Sequence, residues 1–157
     1  MATETMTVVF TDMVGSTAQR AQLGEAAADA LFLEHDEIVR RAADRYSGRV
    51  VKETGDGVML VFGAAADAVH AAVAVQQAID RRNRLGGEPI GLRVGISVGD
   101  VSTDSTGLHG LAAHEAARVC ALATAGQVLV SDVVRMVAGS RLEQSLTRCP
   151  RRFPDRH

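Results

Sequence analysis

Tryptophan is absent, and aromatic residues make up only 3% of the 157 positions, one Tyr and four Phe. So few rings cannot build stacking platforms for single-stranded nucleic acid, and no strongly basic block offsets the formal charge of -2. Nucleic acid is therefore not an expected partner. Cysteine is scarce as well: Cys120 falls in a predicted helix and Cys149 near the end, without ligand-like spacing. Two such residues exclude a disulfide framework and read as free thiols. Long apolar runs are also missing. The stretch 58–62 is strand-sized, far below the roughly 18 uninterrupted apolar residues of a membrane span, and the first residues carry no charged-then-apolar export signal. The expectation is a cytoplasmic protein with no membrane partner.

What is present is apolar patterning. Hydrophobic residues form 46% of the chain, enough at this length for one sizeable core and one domain. The β-branched run 6–10 ends in Thr11-Asp12, and Gly15-Ser16-Thr17 reads as a turn and a helix start. From about 25 to 46, Ala27, Ala30, Leu31, Leu33, Ile38, Val39 and Ala42 recur at helical spacing, closed by Ser47-Gly48. Runs 49–54 and 57–62 read as strands joined through Gly55-Asp56, the turn chemistry of a tight hairpin. A helix over 64–83 stops at Gly86-Gly87-Glu88-Pro89 and a strand covers 92–98. A helix over 110–123 and a short strand over 128–131 follow, with Asp132 expected to cap a last short helix.

The order β-α-β-β-α-β-α-β predicts an α+β fold. Its first six elements match the ferredoxin-like, split βαβ pattern, βαββαβ, an antiparallel-dominated sheet with helices on one face. The domain is expected over 1–146. Beyond it, 147–157 carries Arg148, Arg151, Arg152, Arg156 and two prolines without periodicity, and reads as a disordered tail.

Two carboxylates stand out by position. Asp12 ends the first strand and Asp56 sits at the hairpin tip, ends that neighbouring strands of this fold bring together. Paired hard oxygen donors suit Mg²⁺ or Mn²⁺, which keep waters and recruit substrate phosphates. Between them, Val14-Gly15-Ser16-Thr17 offers backbone N–H groups at a helix N-terminus, where an anion such as a triphosphate is favoured. Taken singly, Asp12 is equally a turn or capping carboxylate and Gly55-Asp56-Gly57 an ordinary turn. The pair, with a phosphate-ready turn between, is what points to phosphoryl chemistry. Lys52 alone reads as a solvated strand lysine, and His114 and Arg118, four apart on one helical face, as a surface pair. His35-Asp36 in mid-helix reads as a solvated or capping feature, because no companion phosphohydrolase motif accompanies it. His114-Glu115 does not open a zinc-protease motif, since position 118 is Arg, and no Walker A or dinucleotide-binding glycine pattern occurs.

Three segments carry a resemblance. Phe10-Thr11-Asp12-Met13-Val14-Gly15-Ser16-Thr17, Lys52-Glu53-Thr54-Gly55-Asp56-Gly57 and Gly110-Leu111-Ala112-Ala113-His114-Glu115-Ala116-Ala117-Arg118 resemble, in order and separation, the signature segments of class III nucleotide cyclases. The third is similar to the bacterial branch that reads His-Glu-Ala-Ala-Arg, and the resemblance covers about 7–142. It implies conversion of ATP to 3′,5′-cyclic AMP and pyrophosphate with two Mg²⁺ or Mn²⁺ ions per site, held by Asp12 and Asp56 with the Met13 carbonyl assisting. It further implies a homodimer with two composite active sites, aspartates from one subunit and base-reading and transition-state residues from the other. In this resemblance Lys52 contacts the purine; ATP fits, because adenine N1 accepts a hydrogen bond whereas guanine N1–H donates one. Arg118 takes the place of the transition-state arginine, and His114 that of an Asn that positions the ribose in many members.

The chain departs from the family in three respects. The residue three before Gly110 is Gly107, where a carboxylate or Thr usually accepts from the adenine amino group; Asp104 and Thr106 are the candidate substitutes. Relaxed selectivity, with GTP as a second substrate, is expected. His114 replaces Asn, and nothing after Leu142 resembles the family's Leu-Lys-Gly stretch, so the C-terminus is expected to be truncated. These departures keep open a different class of function: a degenerate cyclase homology domain that binds nucleotide or pairs with another cyclase chain with little or no turnover. A diguanylate-cyclase-like palm ranks lower, because the hairpin reads Thr-Gly-Asp-Gly.

Overall fold

The computed structural model describes residues 3–53, 56–142 and 146–147. Thr54 and Gly55 of the expected hairpin tip, Cys149, and the expected tail from residue 148 onward lie outside the described residues. The elements are β1 (Thr3–Met13), α1 (Ser16–Leu23), α2 (Glu25–Arg45), β2 (Arg49–Glu53), β3 (Gly57–Phe62), α3 (Ala65–Arg84), β4 (Leu92–Asp104), β5 (Gly107–His109), α4 (Leu111–Leu122), β6 (Val128–Val130) and α5 (Asp132–Ala138).

The sheet runs β2-β3-β1-β4-β5 with antiparallel neighbours, and β6 joins β4 in parallel. That is the split βαβ order expected for the first six elements. Side chains alternate along central β1, so Val9, Thr11 and Met13 turn to one face while Val8, Phe10 and Asp12 turn to the other. The first face receives α2 and α3, whose buried stripes include Leu31, Val39, Val69, Val75 and Ile79. Val39, Val69 and Ile79 are at most 4% exposed, and burying each contributes about 1.5–3 kcal/mol.

The second face is covered differently. α4 lies over β4, packing Ala112 and Ala116 against Val8, Val61 and Val101. Gly95 makes this approach possible, because a Cβ there would fall 2.2 Å from the Cys120 nitrogen and 2.5 Å from the Ala116 carbonyl oxygen. Those are backbone atoms, which cannot step aside as a flexible side chain would. Beyond α4, Met6, Phe10, Val51 and Met59 remain only partly buried on this face.

Several boundaries differ from the sequence expectation. β1 extends beyond the run 6–10 at both ends and β4 beyond 92–98 at its C-terminal end, because 3–6 of β1 pair with 99–102 of β4 and 11–13 with 92–94. β4 folds back through Ser105-Thr106 into three-residue β5, an element too short to register in apolar periodicity. α1 is a separate helix, divided from α2 by Gly24 at φ +85°. Finally, Ser131 rather than Asp132 caps α5: its Oγ accepts the Val134 amide at 3.4 Å, and Asp132 is the first helical residue. Among the described residues no helix is long and apolar enough to cross a membrane.

Candidate active site

The β1–β3 register pairs Asp12 with Gly57, so Asp56, which precedes β3, stands beside Asp12 at one end of the sheet. Backbone contacts fix that end. The Met13 amide donates to the Asp56 carbonyl at 2.8 Å and the Val14 amide to the Gly91 carbonyl at 2.7 Å. Both aspartates are half-buried. Ser16 Oγ donates to Asp56 Oδ2 at 3.1 Å, while an Arg93 Nη2–H donates to Asp12 Oδ2. Among the described residues no group of three or more His, Cys, Asp and Glu side chains is placed to hold a metal. Two carboxylates with no third such ligand fit a hard cation that fills its remaining positions with water or phosphate oxygen.

The turn beside them is open to anions. Gly15 at φ +70° swings the chain from β1 into α1, a conformation costly for other residues. Among the described residues no side chain caps α1, so the N–H groups of its first turn lie outside the helix's own ladder, next to the Asp56 carboxylate that Ser16 touches. Of the expected cradle, the Val14 amide is already taken by Gly91; Gly15, Ser16 and Thr17 remain. α1 buries no residue and is held by polar tethers, Gln19 Nε2 to the Pro89 carbonyl at 2.7 Å and Arg20 to Glu25 and Asp29 at 2.6 and 2.9 Å.

The remaining candidate residues lie apart from this pair. Lys52 is exposed on β2, where the register slips between Val50 and Lys52. His114 and Arg118 are exposed one turn apart on α4, and no hydrogen bond or ion pair found among the described residues joins either to Asp12 or Asp56. Gly107 opens β5 at φ +122°, a backbone state that disfavours any side chain, although an added Cβ would meet nothing within 4 Å. Asp104 is committed to its own turn: the Thr106 amide and hydroxyl donate to it at 2.7 and 2.5 Å, and His109 lies 3.1 Å away. The Thr106 bonds chiefly hold its carboxyl down to about 2.

One residue escaped the sequence reading and another was misread. Arg93 was hidden in an apolar strand; the signal was a charge inside Leu92-Arg93-Val94. His35 corrects an expectation, since it is 0% exposed rather than solvated or capping. Its Nε2 lies 3.5 Å from Thr11 Oγ1, its Nδ1 is buried without a partner among the described residues, and Phe32 stacks at 5.3 Å. Burial lowers its pKa to about 4, against weaker opposing pulls from Asp36, Asp12 and Asp56. The unfolded chain, with a histidine near 6.5, binds a proton between those values that the folded chain refuses. Stability is therefore complete above about pH 6.5 and is lost as pH falls toward 4, by about 3 kcal/mol in all. Urea unfolding at pH 7 and 4.5 should register most of that loss in the wild type and much less in His35→Leu. Cys120 is a free, buried thiol pushed up to about 12 by burial, as expected for an unreactive cysteine.

Comparison with known proteins decides the kinship. The profile of the Adenylate and Guanylate cyclase catalytic domain matches residues 1–148. The chain belongs to this cyclase family. A Rhizobium meliloti (strain 1021) protein carried under the provisional name adenylate cyclase 3 is 34% identical over 138 residues, 87% of this chain and 24% of its own length. The cyclase domain thus spans about a quarter or less of the curated relatives it matches. The Silicibacter pomeroyi adenylate/guanylate cyclase/hydrolase structure superposes with TM-score 0.80 at 27% identity, over 92% of this chain and 85% of that one. The guanylyl cyclase domain of the Blastocladiella emersonii RhoGC fusion protein, 26% identical, has been solved as a non-canonical dimer and as a monomer. These match with TM-scores 0.74 and 0.76, over 89% and 88% of this chain and 86% and 88% of those chains.

Proposed function

We propose that this cyclase domain converts ATP to 3′,5′-cyclic AMP and pyrophosphate in a homodimer with two composite sites. The observation that supports the reading is that Asp12 and Asp56 lie at the same end of the sheet, next to the N-terminus of α1, whose Ser16 donates to Asp56. In the reaction the ribose 3′-oxygen forms a bond to the α-phosphorus, the bond to the β-phosphate oxygen breaks, and the 3′-hydroxyl proton leaves. Divalent cations, Mg²⁺ or Mn²⁺, held by Asp12, Asp56 and the Met13 carbonyl would supply positive charge to the triphosphate and to the 3′-oxygen. The amides of Gly15, Ser16 and Thr17 bind phosphate oxygens, helped by the helix dipole. Ser16 passes from Asp56 to the incoming phosphate. On the partner's side, Arg118 neutralises charge that builds on the α-phosphate, His114 orients the ribose, and Lys52 donates to the purine. Dimerisation has a physical rationale in the second sheet face, where Met6, Phe10, Val51 and Met59 are only partly covered.

The test is turnover of labelled ATP and GTP by the purified chain with Mn²⁺. Cyclic product from the wild type and none from Asp56→Ala supports the reading; no product from either protein supports the degenerate alternative. Selectivity should be weak. Gly107 brings no side chain to the purine and Asp104 is held in its turn, so one polar partner is missing, worth about 1–3 kcal/mol. The expected kcat/KM ratio of ATP to GTP is roughly tenfold or less; a ratio above a thousand would contradict the assignment of position 107.

A further inference from the structure

We propose that Arg93 is a resident counter-cation on the metal carboxylate, which an entering divalent ion must displace, so that cation and triphosphate load together rather than one by one. The inference rests on the reading of Asp12 and Asp56 as cation ligands and goes beyond it by assigning a role to a residue outside the three signature segments.

Arg93 faces Asp12 directly across the β1–β4 ladder, and its Nη2–H donates to Asp12 Oδ2. The same guanidinium reaches α4, where Nη1 donates to the Ala121 carbonyl at 3.3 Å. Its backbone carbonyl accepts from Cys120 Sγ at 3.5 Å. The side chain is thus held at both ends of its reach, and only 30% exposed against 19% for Asp12. Asp56 adds to the field at Arg93, so the guanidinium answers both carboxylates. Without it, two half-buried negative charges would share one end of the sheet with no nearby cation on Asp12, which like-charge repulsion disfavours.

That arrangement has a cost for a bare cation. An ion binding to Asp12 must break a charge-assisted hydrogen bond and then tolerate a positive charge next to it. A cation arriving with a polyphosphate avoids most of this, because the anion offers oxygens to the released fork. Arg93 Nε–H is already buried without a partner among the described residues, a donor with an unmet demand. Linkage makes the effect reciprocal: whatever the anion does for the cation, the cation does for the anion.

The experiment measures Mn²⁺ alone, by the loss of free-ion electron paramagnetic resonance signal, on the full chain and on Arg93→Gln, Arg93→Lys and Asp56→Asn. Arg93→Gln should bind Mn²⁺ about tenfold more tightly than the wild type, the order expected when one contact charge is removed from a part-buried carboxylate. Arg93→Lys, which keeps the charge but not the fork, should stay near the wild type. In the wild type, the Arg93 Nε–H resonance should shift when Mg²⁺ is added and shift further with pyrophosphate. Equal or weaker Mn²⁺ binding by folded Arg93→Gln overturns the proposal. If Arg93→Gln is poorly folded by circular dichroism, an Arg93 resonance that ignores Mg²⁺ overturns it instead. Failure of the underlying reading is told apart by Asp56→Asn together with Asp12→Asn, measured in the same way: Mn²⁺ binding unchanged in both proteins removes the carboxylates as ligands, and the counter-cation role with them.

Discussion

Asp56→Asn should leave the folded chain as stable as the wild type to within about 1 kcal/mol and lower cyclic nucleotide formation by a factor of about 10³ or more. The two effects separate because the carboxylate does two jobs. As a hydrogen-bond acceptor it takes Ser16 Oγ at 3.1 Å, and an asparagine carbonyl still accepts that bond, with the loss of its charge assistance. The backbone link from Met13 to the Asp56 carbonyl does not involve the side chain at all. As a charge, however, Asp56 is one of only two carboxylates at the site, with no third His, Cys, Asp or Glu near enough to stand in among the described residues. Losing half of the anionic donor set removes several kcal/mol of transition-state stabilisation, and each 1.36 kcal/mol is a factor of ten. Product formation by chromatography and the thermal midpoint, measured on the same preparation, check both halves. Activity within tenfold of the wild type would place the chemistry elsewhere.

The second large effect comes from mixing two inactive proteins. Arg118→Ala alone should lose about 10²–10³ in rate, since a guanidinium on the developing phosphate charge is removed while the exposed position costs little stability. Combined with an equal amount of Asp56→Asn and allowed to exchange subunits, it should recover about a quarter of the wild-type rate. Half of the dimers are then mixed, and each mixed dimer has one site with both residues intact and one with neither. The physical basis lies within the single chain: Arg118 is exposed on α4, and no hydrogen bond or ion pair among the described residues joins it to its own aspartates. No recovery, with subunit exchange verified by mass, would mean that the aspartates and Arg118 act within one subunit.

How far the sequence could carry these conclusions depended on distance along the chain. Asp12 and Asp56 were legible because each ends or precedes a strand, and the strand order alone brings those ends together. Arg93 was not, because its contact with Asp12 spans 81 positions and depends on the β1–β4 register that sets the two residues opposite each other. The helix over 25–46 was placed correctly, yet its buried side was misjudged. Ala27, Ala30 and Leu33, named in the apolar recurrence, are exposed, and Leu33 is 66% so. The true stripe runs through Ala28, Leu31, His35, Val39 and Ala42. In a helix rich in alanine the apolar signal is nearly uniform around the axis, so the phase is set by the sheet that packs against it. The same reasoning explains His35, a polar residue on the buried stripe. Gly107 was recognised as missing a side chain, but the reason, a positive φ demanded by the two-residue turn into β5, needed the strand that periodicity did not reveal.

Gly95 has a consequence for how such a molecule can be controlled. A helix pressed main chain to main chain on its strand has no slack: it cannot roll, slide or tilt without prying β4 open. Arg118 and His114 therefore travel only as far as the whole sheet travels. In the proposed homodimer, control of catalysis is expected to work by swivelling one protomer against its mate, or by freeing α1, which buries no residue, packs Leu23 against the core and otherwise rests on polar tethers.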